Sequence, residues 1–144
     1  KMRKIGTFFI GGIRFGIDVL KVLGVLQNAE IVRVPLANGV IAGLIQYRGQ
    51  IITVIDLRRK LEMSPLEGQE PMHMIIKTKK GIVSFLVDEV SDVIEITQNT
   101  KVEMSKSVQG VDSFFISHTY KFEDFALLIL DTERIAEVKS GSVI

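Results

Sequence analysis

At 144 residues the chain has room for one compact unit or for two small barrels sharing a core, and 47% hydrophobic residues with few aromatics supply an ample interior. The 18 basic and 17 acidic residues nearly cancel, so there is no net field to hold a polyanion or draw the chain to an anionic membrane, and a protein partner is expected. Cysteine is absent, which removes disulfides, thiolate nucleophiles and thiolate metal sites and fits a reducing compartment. Lys1-Met2-Arg3-Lys4 precedes a short glycine-broken apolar stretch, Ile5 to Ile17, with no small-residue cleavage pattern. No window approaches the roughly 20 uninterrupted apolar residues of a membrane-spanning helix, so a soluble, cytoplasmic protein is expected.

In chain order, Thr7-Phe8-Phe9-Ile10 and Ile13-Arg14-Phe15-Gly16-Ile17 flank Gly11-Gly12, a pair that supplies the positive φ angles of a primed hairpin turn. Asp18 can cap a short helical turn before Val22 to Leu26 re-enters a strand. Pro35, Asn38 and Gly39 break the pattern, and Val40 to Leu44 then leads into a second hairpin, Leu44 to Tyr47 and Gln50 to Ile55, around a tight Arg48-Gly49 turn. Between Arg58 and Pro71 the chain turns polar and reads as an exposed crossing between two halves. Met72 to Lys77, a Lys79-Lys80-Gly81 turn, Ile82 to Val87 and Val90 to Ile96 repeat the style, and Thr97 to Gln109 reads as a loop. Phe114 to Tyr120 and Phe125 to Leu130 form a last hairpin around Glu123-Asp124, and Asp131-Thr132-Glu133-Arg134 starts a helix with an N-cap and an acidic first turn. Ser140 to Ile144 reads as a fraying end.

The fold class this predicts is all-β: about ten strands in two sets of five, each set closing as a small barrel to remove its edges, with short helices that include a C-terminal one. The expected division places one barrel at roughly 15–60 and the other at roughly 70–130, with the chain ends crossing over.

Catalytic chemistry finds little support. Asp56, Asp88 and Asp131 each follow an apolar run, but each also precedes turn or helix-start residues whose backbone N–H groups a short carboxylate accepts. His73 and His118 read as half-exposed strand residues, and neither has a second ligand at metal-binding spacing. With no phosphate-binding glycine loop and no serine elbow, no enzyme activity, cofactor or metal is expected. A small-barrel nucleic-acid binder is the rival of another class, but Phe8, Phe9, Phe85, Phe114 and Phe115 look buried. The clusters Arg58-Arg59-Lys60 and Lys77-Lys79-Lys80 look like solvated turns.

Four blocks carry a resemblance to the CheW-type chemotaxis coupling proteins. They are Phe15 to Val22; Gly43 to Arg58, which matches the pattern Gly-x-x-x-x-Arg-Gly-x-x-x-x-x-x-Asp-Leu-Arg; Phe85 to Val93; and Ala126 to Ile135. The resemblance implies two five-stranded SH3-like barrels in one CheW-like domain and an adaptor role, linking the cytoplasmic tips of methyl-accepting chemoreceptors to the regulatory domain of the chemotaxis histidine kinase. It reaches the membrane only through receptors. The same resemblance fits a CheW-like regulatory segment of a larger kinase or of a receiver-containing coupling protein. It further implies that an apolar groove between the barrels takes the receptor, which places Val22, Val25, Arg48, Val87 and Val90 near the contact. Where many members carry a Glu that partners the arginine, this chain has Gly24, leaving Arg48 to use Glu30, Asp88 or Glu89.

Overall fold

The computed structural model describes residues 3–34, 39–97, 101–102 and 107–138, without the side chains of 101, 102, 107 and 108. The expected breaks at Pro35 and Asn38, most of the 97–109 loop and the fraying of Ser140 to Ile144 lie outside the described residues. The first hairpin joins β1 (Arg3–Ile10) to β2 (Ile13–Asp18). Its turn residues Gly11 and Gly12 have φ of 60° and 78°, the two positive values of a type I′ turn. Asp18 accepts the Leu20 N–H at 3.0 Å and so caps a 3-10 turn, Val19–Lys21, which leads into β3 (Val22–Leu26). Next come β4 (Ile41–Tyr47), β5 (Gln50–Asp56), the short helix α1 (Leu57–Lys60), β6 (Met72–Thr78), β7 (Gly81–Val87) and β8 (Glu89–Ile96). Three two-residue strands, β9 (Lys101–Val102), β10 (Ser107–Val108) and β11 (Val111–Asp112), and a second 3-10 turn precede β12 (Ile116–Lys121), β13 (Ala126–Leu130) and α2 (Thr132–Ala136).

The ten longer strands form two sets of five, ordered β8-β1-β2-β13-β12 in what we call the first barrel and β3-β6-β7-β5-β4 in the second. Each sheet is drawn closed by the chain that follows its edge strand. β9, the next strand after β8, pairs with β12 at the far edge, while Val32, beyond β3, exchanges two 2.8 Å backbone hydrogen bonds with Leu44 of β4. Gly43 makes the second closure possible, because a Cβ there would collide with the Val32 carbonyl. The SH3-like description of the two barrels fits this arrangement.

The barrels do not divide the chain at the polar crossing. Residues 22–87 supply the whole second barrel, and both ends of the chain supply the first, so the stretch from Arg58 to Pro71 is an excursion within one barrel. The barrel bounds differ from roughly 15–60 and 70–130 because strands from the two ends pair in parallel: Phe15 faces Leu128 across β2 and β13. No pattern local to the sequence encodes such long-range pairing.

The two barrels share one pattern of strand pairing, strand for strand, with the chain order circularly permuted between them. In the first, Phe8 of β1 pairs with Val90 and Gly6 with Val93, with a register slip between them. In the second, Ile76 of β6 pairs with Val22 and Met74 with Val25, and β3 slips at the matching place. The caps match too: Asp56 accepts the Arg58 and Arg59 N–H groups, and Asp131 those of Glu133 and Arg134. Each then forms an ion pair three residues on, Asp56 with Arg59 at 3.4 Å and Asp131 with Arg134 at 3.6 Å.

Three apolar clusters fill the molecule. One lies inside the second barrel, around Ile45, Tyr47, Ile52, Val54 and Ile75, and one inside the first, around Ile5, Tyr120, Leu127 and Ile129. The third joins the barrels: Phe8, Phe15, Ile17 and Leu128 from the first meet Ile55, Met74, Ile76, Phe85 and Val87 from the second. Phe8, Phe15 and Phe85 are fully buried there, each contributing about 1.5–3 kcal/mol by the area it withdraws from water.

His73 corrects the expectation of a half-exposed strand residue. It is 2% exposed, with Nδ1 2.8 Å from Ser84 Oγ, because β6 turns His73 and Ile75 toward the interior of the second barrel. Phe114 departs in the other direction, 48% exposed on a 3-10 turn with the Arg134 guanidinium 4.5 Å from its ring centre.

Two expectations follow. Gly16→Ala places a Cβ against Ile5 Cγ2 in the first barrel and should lower stability by about 1–3 kcal/mol, read from urea unfolding. Burial pushes the His73 pKa below its ordinary 6.5, so its contribution is complete above that value and is lost as pH falls through the folded value. The unfolding midpoint should therefore drop as pH falls below about 6.5, and the drop should be shallower in His73→Gln.

Candidate partner-binding site

The fixed positions of the Gly43 to Arg58 signature have local structural duties. Gly43 admits the Val32 strand; Asp56 caps α1, and Leu57 is fully buried. Arg48 and Gly49, with φ of 50° and 80°, form a second type I′ turn across the Tyr47–Gln50 pair.

Arg58 holds the barrels together. Its Nε and Nη2 donate to Asp88 Oδ1 and Oδ2 at 2.8 and 2.6 Å, a two-pronged pair whose side chains are only 16% and 12% exposed. Asp88 sits where the chain passes from β7 to β8, that is, from the second barrel to the first. Its Oδ2 accepts the Gly11 N–H at 2.8 Å, and its own N–H donates to the Phe9 carbonyl at 3.0 Å, both in the first hairpin. Arg58 also donates to the Ser64 carbonyl, and the Gln69 amide donates to the Asp88 carbonyl, which ties down the polar excursion. Burial opposes charge on Asp88, but the hydrogen bonds from Arg58 and Gly11 and the Arg58 charge outweigh it and hold the carboxyl below the usual carboxylate range. The Asp88 hydrogen bond, against a smaller cost of burial, likewise raises the Arg58 pKa. Asp88 is therefore a long-range ion-pair partner and not a local turn cap, and Arg58 is not a solvated turn residue.

The five residues expected at a partner contact do not converge on an open groove. Val87 is 1% exposed within the core that joins the barrels, because β7 points Val83, Phe85 and Val87 into the space between the sheets. Val22 and Val90 are half-buried against the same core, at equivalent places on β3 and β8. Val25 is 41% exposed on β3, and its equivalent Val93 is 55% exposed on β8. The space between the barrels is packed, and what reaches the surface is the outer row of the two bulged strands. Clefts of about 510 and 340 Å³ include, of the five, only Val87 in their walls. Val93 escaped the sequence reading because the register slip in β8 exchanges inward and outward faces, which strict alternation does not anticipate.

Arg48 lies exposed on its turn, with the guanidinium 5.2 Å from the centre of the Tyr47 ring, and forms no ion pair among the described residues. Asp88, one of the three carboxylates expected for it, is taken by Arg58. Gly24 has its own reason: a Cβ there would lie 3.1 Å from Tyr47 Oη, which donates to the Leu23 carbonyl at 3.4 Å. A side chain at this place requires the Tyr47 hydroxyl to give way by a few tenths of an ångström.

Among the described residues, no group of three or more His, Asp or Glu side chains is placed to hold a metal ion, and no helix is long and apolar enough to cross a membrane.

Two interlocked SH3-like barrels with an apolar rim and a turn arginine, Arg48, that forms no ion pair among the described residues define a binding module. The chain belongs to the CheW-like domain family, whose profile matches residues 4–140. It is similar to the chemotaxis protein CheW of Bacillus subtilis (strain 168), 29% identical over 96% of this chain and 89% of that protein. To the CheW of Thermotoga maritima it is 33% identical over 65% of this chain and 62% of that protein. Among solved structures it resembles the scaffolding protein TtCheW from Thermoanaerobacter tengcongensis, with a TM-score of 0.87 and 25% identity, covering 99% of this chain and 93% of that one. These likenesses support a chemotaxis adaptor role.

Removing either partner of the Arg58–Asp88 pair, as in Arg58→Leu or Asp88→Asn, should cost about 1–3 kcal/mol, below the full penalty of a buried pair because both side chains retain some water. A double-mutant cycle by urea unfolding should return a favourable coupling that is present at neutral pH and lost as pH falls through the depressed Asp88 pKa.

Proposed function

We propose that the chain is a non-enzymatic adaptor that couples chemoreceptor cytoplasmic tips to the regulatory domain of the chemotaxis histidine kinase through protein–protein contacts. The observation that carries this reading is the likeness to CheW proteins along almost the whole chain, joined to a surface on which exposed valines occupy equivalent places on the two barrels. The receptor contact uses Val25 with the half-buried margins Val22 and Val90, while Val87 supports that rim from inside. Arg48 supplies an orienting charge: the turn demands a positive φ that Asn, Asp or Gly adopts more easily, and its guanidinium forms no ion pair among the described residues. Affinity comes from apolar area, and the arginine fixes orientation and selects an acidic complement. Because the barrels share a core, a partner that binds one barrel and prefers one geometry biases what the other barrel presents.

Co-sedimentation with receptor-bearing membranes and kinase tests this. The wild-type chain should pellet with the assembled mixture, and Val25→Lys or Arg48→Glu should reduce retention by about tenfold, with little change in unfolding midpoint because both side chains are exposed. Failure of the wild-type chain to be retained by either protein or by the mixture would end the coupling hypothesis.

A further inference from the structure

Tyr47 ends β4, immediately before the Arg48-Gly49 turn, and its ring is buried in the interior of the second barrel. In the sheet order β3-β6-β7-β5-β4, β4 and β3 stand at opposite ends. The Tyr47 hydroxyl reaches from one to the other: it donates to the Leu23 carbonyl at 3.4 Å, and a Cβ on Gly24 would lie 3.1 Å from it. Leu23 is the residue that the register slip between Val22 and Gly24 leaves without a partner on β6, and Val25 follows two positions later. A bulge residue drops out of its ladder, so its carbonyl takes a donor from elsewhere. At 3.4 Å the bond is long for a hydroxyl donor, and its weight lies in placement more than in energy.

The first barrel serves as an internal control. Its β1–β2 hairpin closes at Ile10 and Ile13 as β6–β7 closes at Thr78 and Gly81, and its Phe8–Val90 pair matches Ile76–Val22. Thr7 therefore stands at the place of Ile75, and Phe122, which precedes the Glu123-Asp124 turn, at the place of Tyr47. Thr7 Oγ1 donates to the Asp92 carbonyl within the β8 bulge. Hydroxyl and hydrocarbon have thus changed places: the first barrel satisfies its bulge from the neighbouring strand, and the second satisfies its own from the far end of the sheet. A threonine at the place of Ile75 would serve the bulge locally, so bulge satisfaction alone does not account for the tyrosine. What the tyrosine adds is a link between the strand that carries Val25 and the turn that carries Arg48, whose guanidinium lies 5.2 Å from the centre of the same ring. Two contacts fixed relative to each other before binding lose less freedom when a partner arrives.

We propose that Tyr47 is a positioning residue, a strut across the second barrel that holds the Arg48 turn in place against Val25 so that both meet a partner as one preformed surface. The inference rests on the adaptor reading for the partner, while the strut itself is a property of the free chain.

Order parameters of the backbone amides, from ¹⁵N relaxation of the whole chain, read the strut without any partner. Tyr47→Phe keeps the ring and removes the hydroxyl. The amides of Leu23, Gly24 and Val25 and those of Arg48 and Gly49 should then fall together below the roughly 0.85 of rigid backbone. Thr7→Val, which removes the hydroxyl from the other bulge, should leave Arg48 and Gly49 as they are. In co-sedimentation with receptor-bearing membranes and kinase, Tyr47→Phe should lower retention about three- to tenfold while its unfolding midpoint stays near that of the wild type. The proposal is overturned if the order parameters do not change, if only one of the two segments loosens, or if Tyr47→Phe is retained as well as the wild type. Failure to retain the wild type, with the two segments loosening together in Tyr47→Phe, would sink the adaptor reading and support the strut. Retention of the wild type with unchanged order parameters in Tyr47→Phe would sink the strut alone.

Discussion

The apolar core shared between the two barrels is the constraint on which the rest depends. Phe8 and Phe15 from one barrel and Met74 and Phe85 from the other are buried in it, so neither barrel has a complete interior-facing surface without its neighbour. The Arg58–Asp88 pair adds direction to this non-directional packing. Its carboxylate receives a guanidinium from the second barrel and the Gly11 N–H from the first, at the point where the chain crosses between them. Apolar burial supplies most of the free energy, and the ion pair selects one relative placement of the barrels from those the apolar surfaces allow.

The repetition of one strand-pairing pattern in two barrels organises the surface. Equivalent bulges in β3 and β8 turn Val25 and Val93 outward while Val22 and Val90 stay against the shared core. Symmetry of the framework makes its departures informative. The Arg48-Gly49 turn of the second barrel corresponds to Glu123-Asp124 in the first, where the Phe122 N–H donates to the Phe125 carbonyl across the turn, and Arg14 corresponds to Ile82. The backbone is shared and the charges are not, so the two barrels offer different chemistry on similar scaffolds.

Much of the framework could be read from residues alone. The two glycine-bearing primed turns, the Asp18, Asp56 and Asp131 caps and the two sets of five strands follow from local chemistry that nothing tertiary overrides. What escaped the reading was set by contacts between distant residues. Asp88 looks like the other aspartates that end apolar runs, but its partners are 30 and 77 positions away. His73 alternates as a half-exposed residue would, and is buried because Ser84 meets it across the ladder. The resemblance placed Val22, Val25, Arg48, Val87 and Val90 near a groove between the barrels; that Val22, Val87 and Val90 meet a packed junction there, and that Val93 is a surface residue, depended on parallel pairing and on a register slip.

If the shared core is the governing feature, the barrels open together. Native-state hydrogen exchange resolves this at the ladder amides of β1, β2, β6 and β7. The most protected amides of both barrels should exchange through one global opening, with equal opening free energies and equal dependence on denaturant. A set of amides confined to one barrel that exchanges through a smaller, separate opening while the other barrel stays protected would contradict the account.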